Sequence, residues 1–157
     1  MAKKTNALRL LDAAGVPYTV KEYPVDEGDL SAVHAAEKLS MPAERVFKTL
    51  VLRGSSGAYV VCCVPAGAEL DLKKTARAAG EKSAALIPLK DLEPLTGYVR
   101  GGCSPIGMKK KFPTLVDETA ELFPTVGVSA GIRGLEIILA PGDLIRLTGA
   151  RPADLTE

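Results

Sequence analysis

The sequence predicts an α+β fold: one domain in which a mixed, curled β-sheet is flanked by helices. Three observations carry this expectation. Helical and strand periodicities alternate along the 157 residues. Several strand candidates are followed directly by another strand, which does not fit a regular βαβ repeat. No repeat, low-complexity segment or linker divides the chain, so residues 1–157 read as a single domain.

The elements follow in order. Thr5 or Asn6 caps a first helix whose apolar face holds Leu8, Leu11 and Ala14, and Gly15 with Pro17 ends it. Tyr18-Thr19-Val20 reads as a short strand, and Tyr23-Pro24 leads into an acidic loop around Asp26, Glu27 and Asp29. Ser31 caps a second helix that runs through Leu39, with Pro42 beyond it. Phe47 to Leu52 and Ala58 to Val64 are apolar strands, and Gly54-Ser55-Ser56-Gly57 between them predicts a β-hairpin. Asp71 to Ala79 has a helical pattern stopped by Gly80. A short helix follows near Leu89 to Leu95, limited by Pro94. Tyr98-Val99 enters a glycine-rich loop. Thr114 to Val116 and Thr125 to Val128 are short strands separated by a helical turn near Glu118 to Leu122. Leu135 to Leu139 is a further strand, and Pro141-Gly142-Asp143-Leu144 begins a last helix or turn.

Composition sets bounds on function. A chain that is 46% hydrophobic and 25% charged builds a core and is not disordered. A formal charge of +1 gives no global attraction for nucleic acid, so any such contact must come from local basic patches. No run approaches the ~18 apolar residues of a membrane span. The segment Met1-Ala2-Lys3-Lys4-Thr5 is basic but lacks the apolar stretch of a secretory signal, so the cytoplasm is the expected compartment. Three cysteines, Cys62, Cys63 and Cys103, form no CxxC pair, and neither a disulfide framework nor a cysteine-rich zinc site is expected. Cys62 and Cys63 read as core residues of a strand. The single histidine, His34, sits in a predicted helix. Metal sets that need two imidazoles are thereby excluded, and a Ser/His/Asp triad would have to use His34 without a Gly-x-Ser-x-Gly elbow. No metal or cofactor is expected.

Three segments carry candidate chemistry. Gly101-Gly102-Cys103-Ser104-Pro105-Ile106-Gly107 is backbone-open and runs into Lys109-Lys110-Lys111, a combination suited to a charged or phosphate-bearing ligand. Its plain alternative is a turn followed by solvated lysines. Lys48 lies in Val46-Phe47-Lys48-Thr49-Leu50-Val51-Leu52. Period 2 puts it on one face with Leu50 and Leu52, where it either snorkels at a strand end or reaches into a cavity that supplies anions or acceptors. The third segment, Val128-Ser129-Ala130-Gly131-Ile132-Arg133-Gly134-Leu135-Glu136, offers a hydroxyl, a cation and a carboxylate. Glu136 could pair with Lys48 if the two strands face one pocket; otherwise Arg133 and Glu136 form an exposed pair of little energetic weight.

Phe47-Lys48-Thr49-Leu50, Thr96-Gly97-Tyr98 leading into Gly101 to Gly107, and Ser129-Ala130-Gly131 through Arg133-Gly134-Leu135 together resemble the YbaK/EbsC family. These bacterial aminoacyl-tRNA deacylases are relatives of the editing domain inserted in prolyl-tRNA synthetases. The similarity runs from about Ala7 to about Leu155, and the Gly-x-x-x-Pro pattern of the wider superfamily falls on Gly101 and Pro105. The resemblance implies a mixed, barrel-like sheet wrapped by helices. It implies hydrolytic removal of wrongly attached cysteine from tRNA(Pro), and of cysteine from tRNA(Cys). Lys48 takes the place of the family's essential lysine. Tyr23, Thr49, Gly101, Gly102, Ser129 and Glu136 correspond to pocket groups that would bind the 3′-terminal aminoacyl-adenosine. Relatives often carry aspartate where Glu136 stands, so its arm is one methylene longer.

The physical logic is consistent with that activity. A synthetase cannot reject cysteine by size alone, because one or two methylene equivalents give only about 1–3 kcal/mol of discrimination, so a second hydrolytic site is needed. In the family the substrate's own thiol attacks its ester carbonyl, chemistry that needs positioning more than a protein nucleophile. Cys103 is the alternative nucleophile if Lys109 to Lys111 lower its pKa. Lys73, Lys74, Arg77, Lys109, Lys110 and Lys111 could follow a nucleic-acid backbone, but no base-reading module accompanies them. The resemblance therefore implies that tRNA identity comes from prolyl-tRNA synthetase in a ternary complex. Two rival readings remain open: a non-catalytic module that binds tRNA or a synthetase, and a deacylase for another small amino acid such as alanine.

Overall fold

The predicted caps are the first thing the structure realises. In this computed structural model, which describes residues 4–157, the Thr5 hydroxyl accepts the Leu8 N–H and opens helix α1 (Asn6–Ala14). Ser31 does the same for α2 (Ala32–Leu39) through His34; Asp71, which the helical pattern takes as the first residue of its helix, instead caps α3 (Leu72–Ala79) through Lys74. Gly15 and Gly80 close α1 and α3 in the left-handed conformation. Ser40 takes that conformation at the end of α2 with φ 56°, a position where sequence gives no glycine signal. Met1, Ala2 and Lys3 of the basic N-terminal segment lie outside the described residues.

The strands are β1 (Thr19–Glu22), β2 (Phe47–Gly54), β3 (Tyr59–Pro65), β4 (Ala84–Leu86), β5 (Thr114–Asp117), β6 (Val126–Ser129), β7 (Leu135–Leu139) and β8 (Arg151–Ala153). Two short helices, α4 (Leu92–Thr96) and α5 (Pro141–Thr148), complete the set. The hairpin β2–β3 forms as expected, with Lys48 opposite Val64 and Leu50 opposite Cys62. Sequence periodicity misses β4 and β8. Each has only three residues and is held by its neighbour's ladder, not by an alternating pattern of its own.

The fold is α+β with mixed pairing, but the strands divide between two open sheets instead of one. A five-stranded sheet has the order β4-β2-β3-β5-β8, antiparallel through β4-β2-β3 and parallel through β3-β5-β8. A three-stranded antiparallel sheet has the order β1-β7-β6. The sheets meet at a parallel bridge between Val46 and Gly127, and the Arg45 Nε–H donates to the Thr125 carbonyl at 3.1 Å beside it. The 3-10 turn Ala43–Arg45 precedes β2 and keeps the pairing from extending further back.

β3 shows why Cys62 and Cys63 are not a chemical pair. Adjacent strand residues point to opposite faces. Cys62 packs with Leu52, Val60, Val64 and Leu115 on one face of the large sheet, and Cys63 with Phe47, Val116 and Val128 on the other. Burial pushes both thiols up to about 12, as inert core groups require.

Candidate active site

The position of the main cleft follows from where β2 loses its neighbour. β4 pairs with β2 over Leu52, Arg53 and Gly54. The Ile87 N–H then donates to the Val51 carbonyl at 3.1 Å, and the chain turns away at Pro88. At the other end of β2, Val46 reaches Gly127. Between these two points the outer edge of β2 has no paired strand, and a cleft of about 450 Å³ opens along it. All six residues from Val46 to Val51 line it. Alternation alone assigns Lys48 and Leu50 to one face; here the strand's edge is the wall, so side chains of both faces contribute.

Lys48 is half-buried in this wall. Its ammonium donates to the Ala66 carbonyl at 3.2 Å and the Ala68 carbonyl at 2.9 Å. An ammonium has three N–H donors, so one remains for a ligand. The two carbonyls supply the acceptors that a partly desolvated cation requires. Glu136 lines the same cleft from β7 and is 3% exposed. Burial pushes its carboxyl up to about 8, so the neutral acid dominates at pH 7. Among the described residues Lys48 and Glu136 form no ion pair. The Glu136 side chain lies over the Gly127 backbone, where a Cβ would stand 3.1 Å from Oε2.

The Thr49 hydroxyl is buried at the cleft and has no hydrogen-bond partner among the described residues. Ser129 faces Glu136 across the β6–β7 ladder, and its Oγ accepts the Gly131 N–H at 3.2 Å, leaving its own proton to donate. Tyr23 is half-buried in the cleft wall, and its backbone N–H donates to the Gly134 carbonyl at 2.9 Å. Burial raises the Tyr23 phenol's pKa, and the Glu136 carboxyl adds to the shift. Gly101 lines the cleft with φ 85°, and a Cβ there would meet Leu30 at 3.3 Å. Gly102, expected to be a pocket group, is buried and does not line the cleft. A Cβ on it would lie 2.9 Å from the Arg133 backbone nitrogen, so glycine is required there by the close approach of two loops.

Residues 27–147 match the model of the aminoacyl-tRNA editing domain. The chain belongs to the aminoacyl-tRNA editing family. It is therefore an editing enzyme, a hydrolytic deacylase of aminoacyl esters. A relative from Enterococcus faecalis, provisionally named Cys-tRNA(Pro)/Cys-tRNA(Cys) deacylase EbsC, is 48% identical over 154 residues, covering 98% of this chain and 94% of its own. A crystal structure described as a provisional trans-editing enzyme for prolyl-tRNA synthetase superposes with a TM-score of 0.85 at 28% identity, covering 99% of both chains. Another, described only as a hypothetical protein, shares the fold with a TM-score of 0.88 at 22% identity, covering 98% of this chain and 100% of its own.

Within this editing domain several sequence expectations shift. Lys110 and Lys111 line a separate groove of about 190 Å³ with Leu10 and Leu147, and the Lys109 ammonium donates to the Pro94 carbonyl at 3.3 Å. None of the three lines the main cleft. The glycine loop is mostly packed inward: Gly102 to Ile106 are buried, and the Tyr98 hydroxyl donates to the Ile106 carbonyl at 2.7 Å. Arg133 pairs with Glu27 at 3.1 Å and donates to the Arg100 carbonyl at 2.8 Å, so it is not Glu136's partner. Cys103 does line the cleft, but burial pushes its thiol up to about 11. A nucleophile requires the opposite shift. Sequence reading missed Arg100, a cleft cation beside Gly101, because it follows no motif. It also missed the aliphatic side chains of Leu50, Leu86, Ile87, Leu89 and Leu92 as a group, because they come from β2, β4, α4 and the segment between β4 and α4.

Proposed function

We propose that the protein is a trans-editing deacylase that removes cysteine mischarged onto tRNA(Pro), and cysteine from tRNA(Cys), acting as a single domain over residues 1–157. The observation that carries this reading is the Lys48 ammonium, fixed by two carbonyls with one N–H left over, in a cleft whose titratable side chains are poor nucleophiles at pH 7. The Cys103 thiol and the Glu136 carboxyl both hold their protons there. The relative named as a Cys-tRNA deacylase, alike over nearly its whole length, supports the choice of amino acid.

The chemistry assigned to the site is intramolecular. The cysteinyl sulfur attacks its own ester carbonyl, the C–S bond forms as the C–O bond to the ribose breaks, and the thiol proton passes to the departing 3′-oxygen. Water then opens the cyclic thioester to free cysteine. Well-oriented intramolecular attack contributes up to about 7–11 kcal/mol, so the protein's task is to hold the ester in place. Lys48 donates its remaining N–H to the terminal phosphate or to the oxygen that gains negative charge. Thr49, Ser129 and the backbone around Gly101 hold the acyl and ribose groups, with Tyr23 and Glu136 closing the far wall. Alanine and proline have no sulfur to attack with, which makes the activity selective.

The Val46–Gly127 bridge supports treating the two sheets as one curled, barrel-like wall around this cleft. The near-neutral charge supports weak tRNA discrimination by the protein alone, and a ternary complex with prolyl-tRNA synthetase then supplies tRNA identity in the cytoplasm. Ester loss from purified Cys-tRNA(Pro), Ala-tRNA(Pro) and Pro-tRNA(Pro) tests the reading directly. Rapid loss confined to the cysteinyl ester is expected. Turnover of alanyl ester at an equal rate, or of neither, sinks it.

A further inference from the structure

Leu86 and Leu89 are 54% and 58% exposed, yet both line the cleft that holds Lys48. They are not isolated surface residues. Leu50, Ile87 and Leu92 line the same cleft, so five aliphatic side chains gather as a shelf around the point where the chain leaves the edge of β2. Scattered exposed leucines need no explanation, but several aliphatic side chains gathered in one cleft mark a binding surface. The shelf is held in place. The Ile87 N–H is bound to Val51, Asp91 closes a 3-10 turn onto the Pro88 carbonyl, and Lys109 ties both backbone and side chain to Thr96 and Pro94. Arg100, a second cation, lines the same cleft.

We propose that this shelf is the seat of the terminal adenine ring of the bound aminoacyl-tRNA. The inference rests on the deacylase reading above and extends it to Leu86, Ile87, Leu89 and Leu92, which belong to none of the motifs. An aminoacyl group at Lys48 reaches the cleft covalently attached to a ribose and a base, so the base must settle on a neighbouring wall. The shelf is continuous with the Lys48 strand through Leu50 and presents aliphatic side chains to a flat ring. Arg100 and the spare Lys48 N–H then face the phosphate side of the same nucleotide. A base held by aliphatic contact is fixed in position without hydrogen-bond reading of its edge.

The test uses two non-hydrolysable probes, 3′-cysteinylamido-3′-deoxyadenosine and the same cysteinylamide on a ribose without a base. The wild-type chain should bind the adenosine probe at least about tenfold more tightly than the base-less probe. Leu89→Asp should abolish that difference, leaving the base-less probe's affinity unchanged, and Leu89→Phe should keep it. With Cys-tRNA(Pro), Leu89→Asp should raise KM by a similar factor at nearly constant kcat. Equal affinity of the two probes for wild type, or an unchanged difference in Leu89→Asp, overturns the proposal. So does a Leu89→Asp defect seen only when prolyl-tRNA synthetase is added, which would assign the shelf to a protein partner. Probe binding does not depend on hydrolysis, so loss of the deacylase reading and loss of the shelf are distinguishable.

Discussion

Lys48 and Glu136 face the same cleft from different sheets without neutralising each other: the ammonium is held by the Ala66 and Ala68 carbonyls, and the carboxyl keeps its proton. The cation is thus fixed by neutral acceptors. Its charge stays available to an anionic substrate, which a carboxylate partner would have cancelled.

Removing the ammonium should therefore remove substrate placement. Lys48→Ala is expected to lower kcat/KM for Cys-tRNA(Pro) by about 100-fold or more, the scale of losing one donor to developing charge. Lys48→Arg should recover little, because a planar guanidinium cannot reproduce a point ammonium bound by two converging carbonyls. Single-turnover deacylation measures both. Near wild-type rates for Lys48→Ala would remove Lys48 from the mechanism.

Glu136 gives a pH signature in stability. Its carboxyl rises from the ordinary 4.5 to about 8 on folding. Between those values the folded chain holds a proton that the unfolded chain has released, so stability falls as pH rises through that window. Glu136→Gln should flatten this slope in urea unfolding measured between about pH 5 and 8. The carboxyls whose pKa values are lowered, such as Asp12, Asp29 and Glu81, act in the opposite sense, at more acid pH. An unchanged slope in the variant would mean that Glu136 is ionised in the fold.

Cys103 should prove dispensable for chemistry. Its thiol is buried and its pKa raised, so Cys103→Ala is expected to keep kcat within about threefold of wild type while losing some packing. A covalent acyl-enzyme trapped on Cys103, or a loss of several orders of magnitude, would restore the nucleophile.

Gly102 should behave as a packing residue. In Gly102→Ala the new methyl would press on the Ile132–Arg133 backbone at about 2.9 Å, and backbone cannot yield as a side-chain tip does. A stability loss of about 1–3 kcal/mol is expected from such overpacking. Activity should fall as well, because the displaced loop runs between Ser129 and Glu136. Chemical denaturation with parallel deacylation assays reads both effects. A variant as stable as wild type would mean that the loops have room.

Much of this protein is readable from local chemistry. Thr5 and Ser31 announce their helices because a cap acts within three or four residues. The β2–β3 hairpin is visible because its strands are apolar and its turn is short. Lys48 stands out for the same reason, as one charge in an apolar run. What the sequence could not decide depends on contacts between distant segments. It placed Lys109 to Lys111 beside the ligand, whereas the structure turns Lys110 and Lys111 into another groove. It left Glu136 free to pair with Lys48, whereas folding buries the carboxyl with its proton and gives the lysine to two carbonyls 18 and 20 residues away. The cleft itself exists because β4 departs from β2 at Val51 and β6 meets it at Val46, so a few residues of strand edge remain unpaired. Residue types and spacing fix which groups can do chemistry; only tertiary pairing, where long-range hydrogen bonds and burial compete, decides which of them share a cavity and which charges survive there.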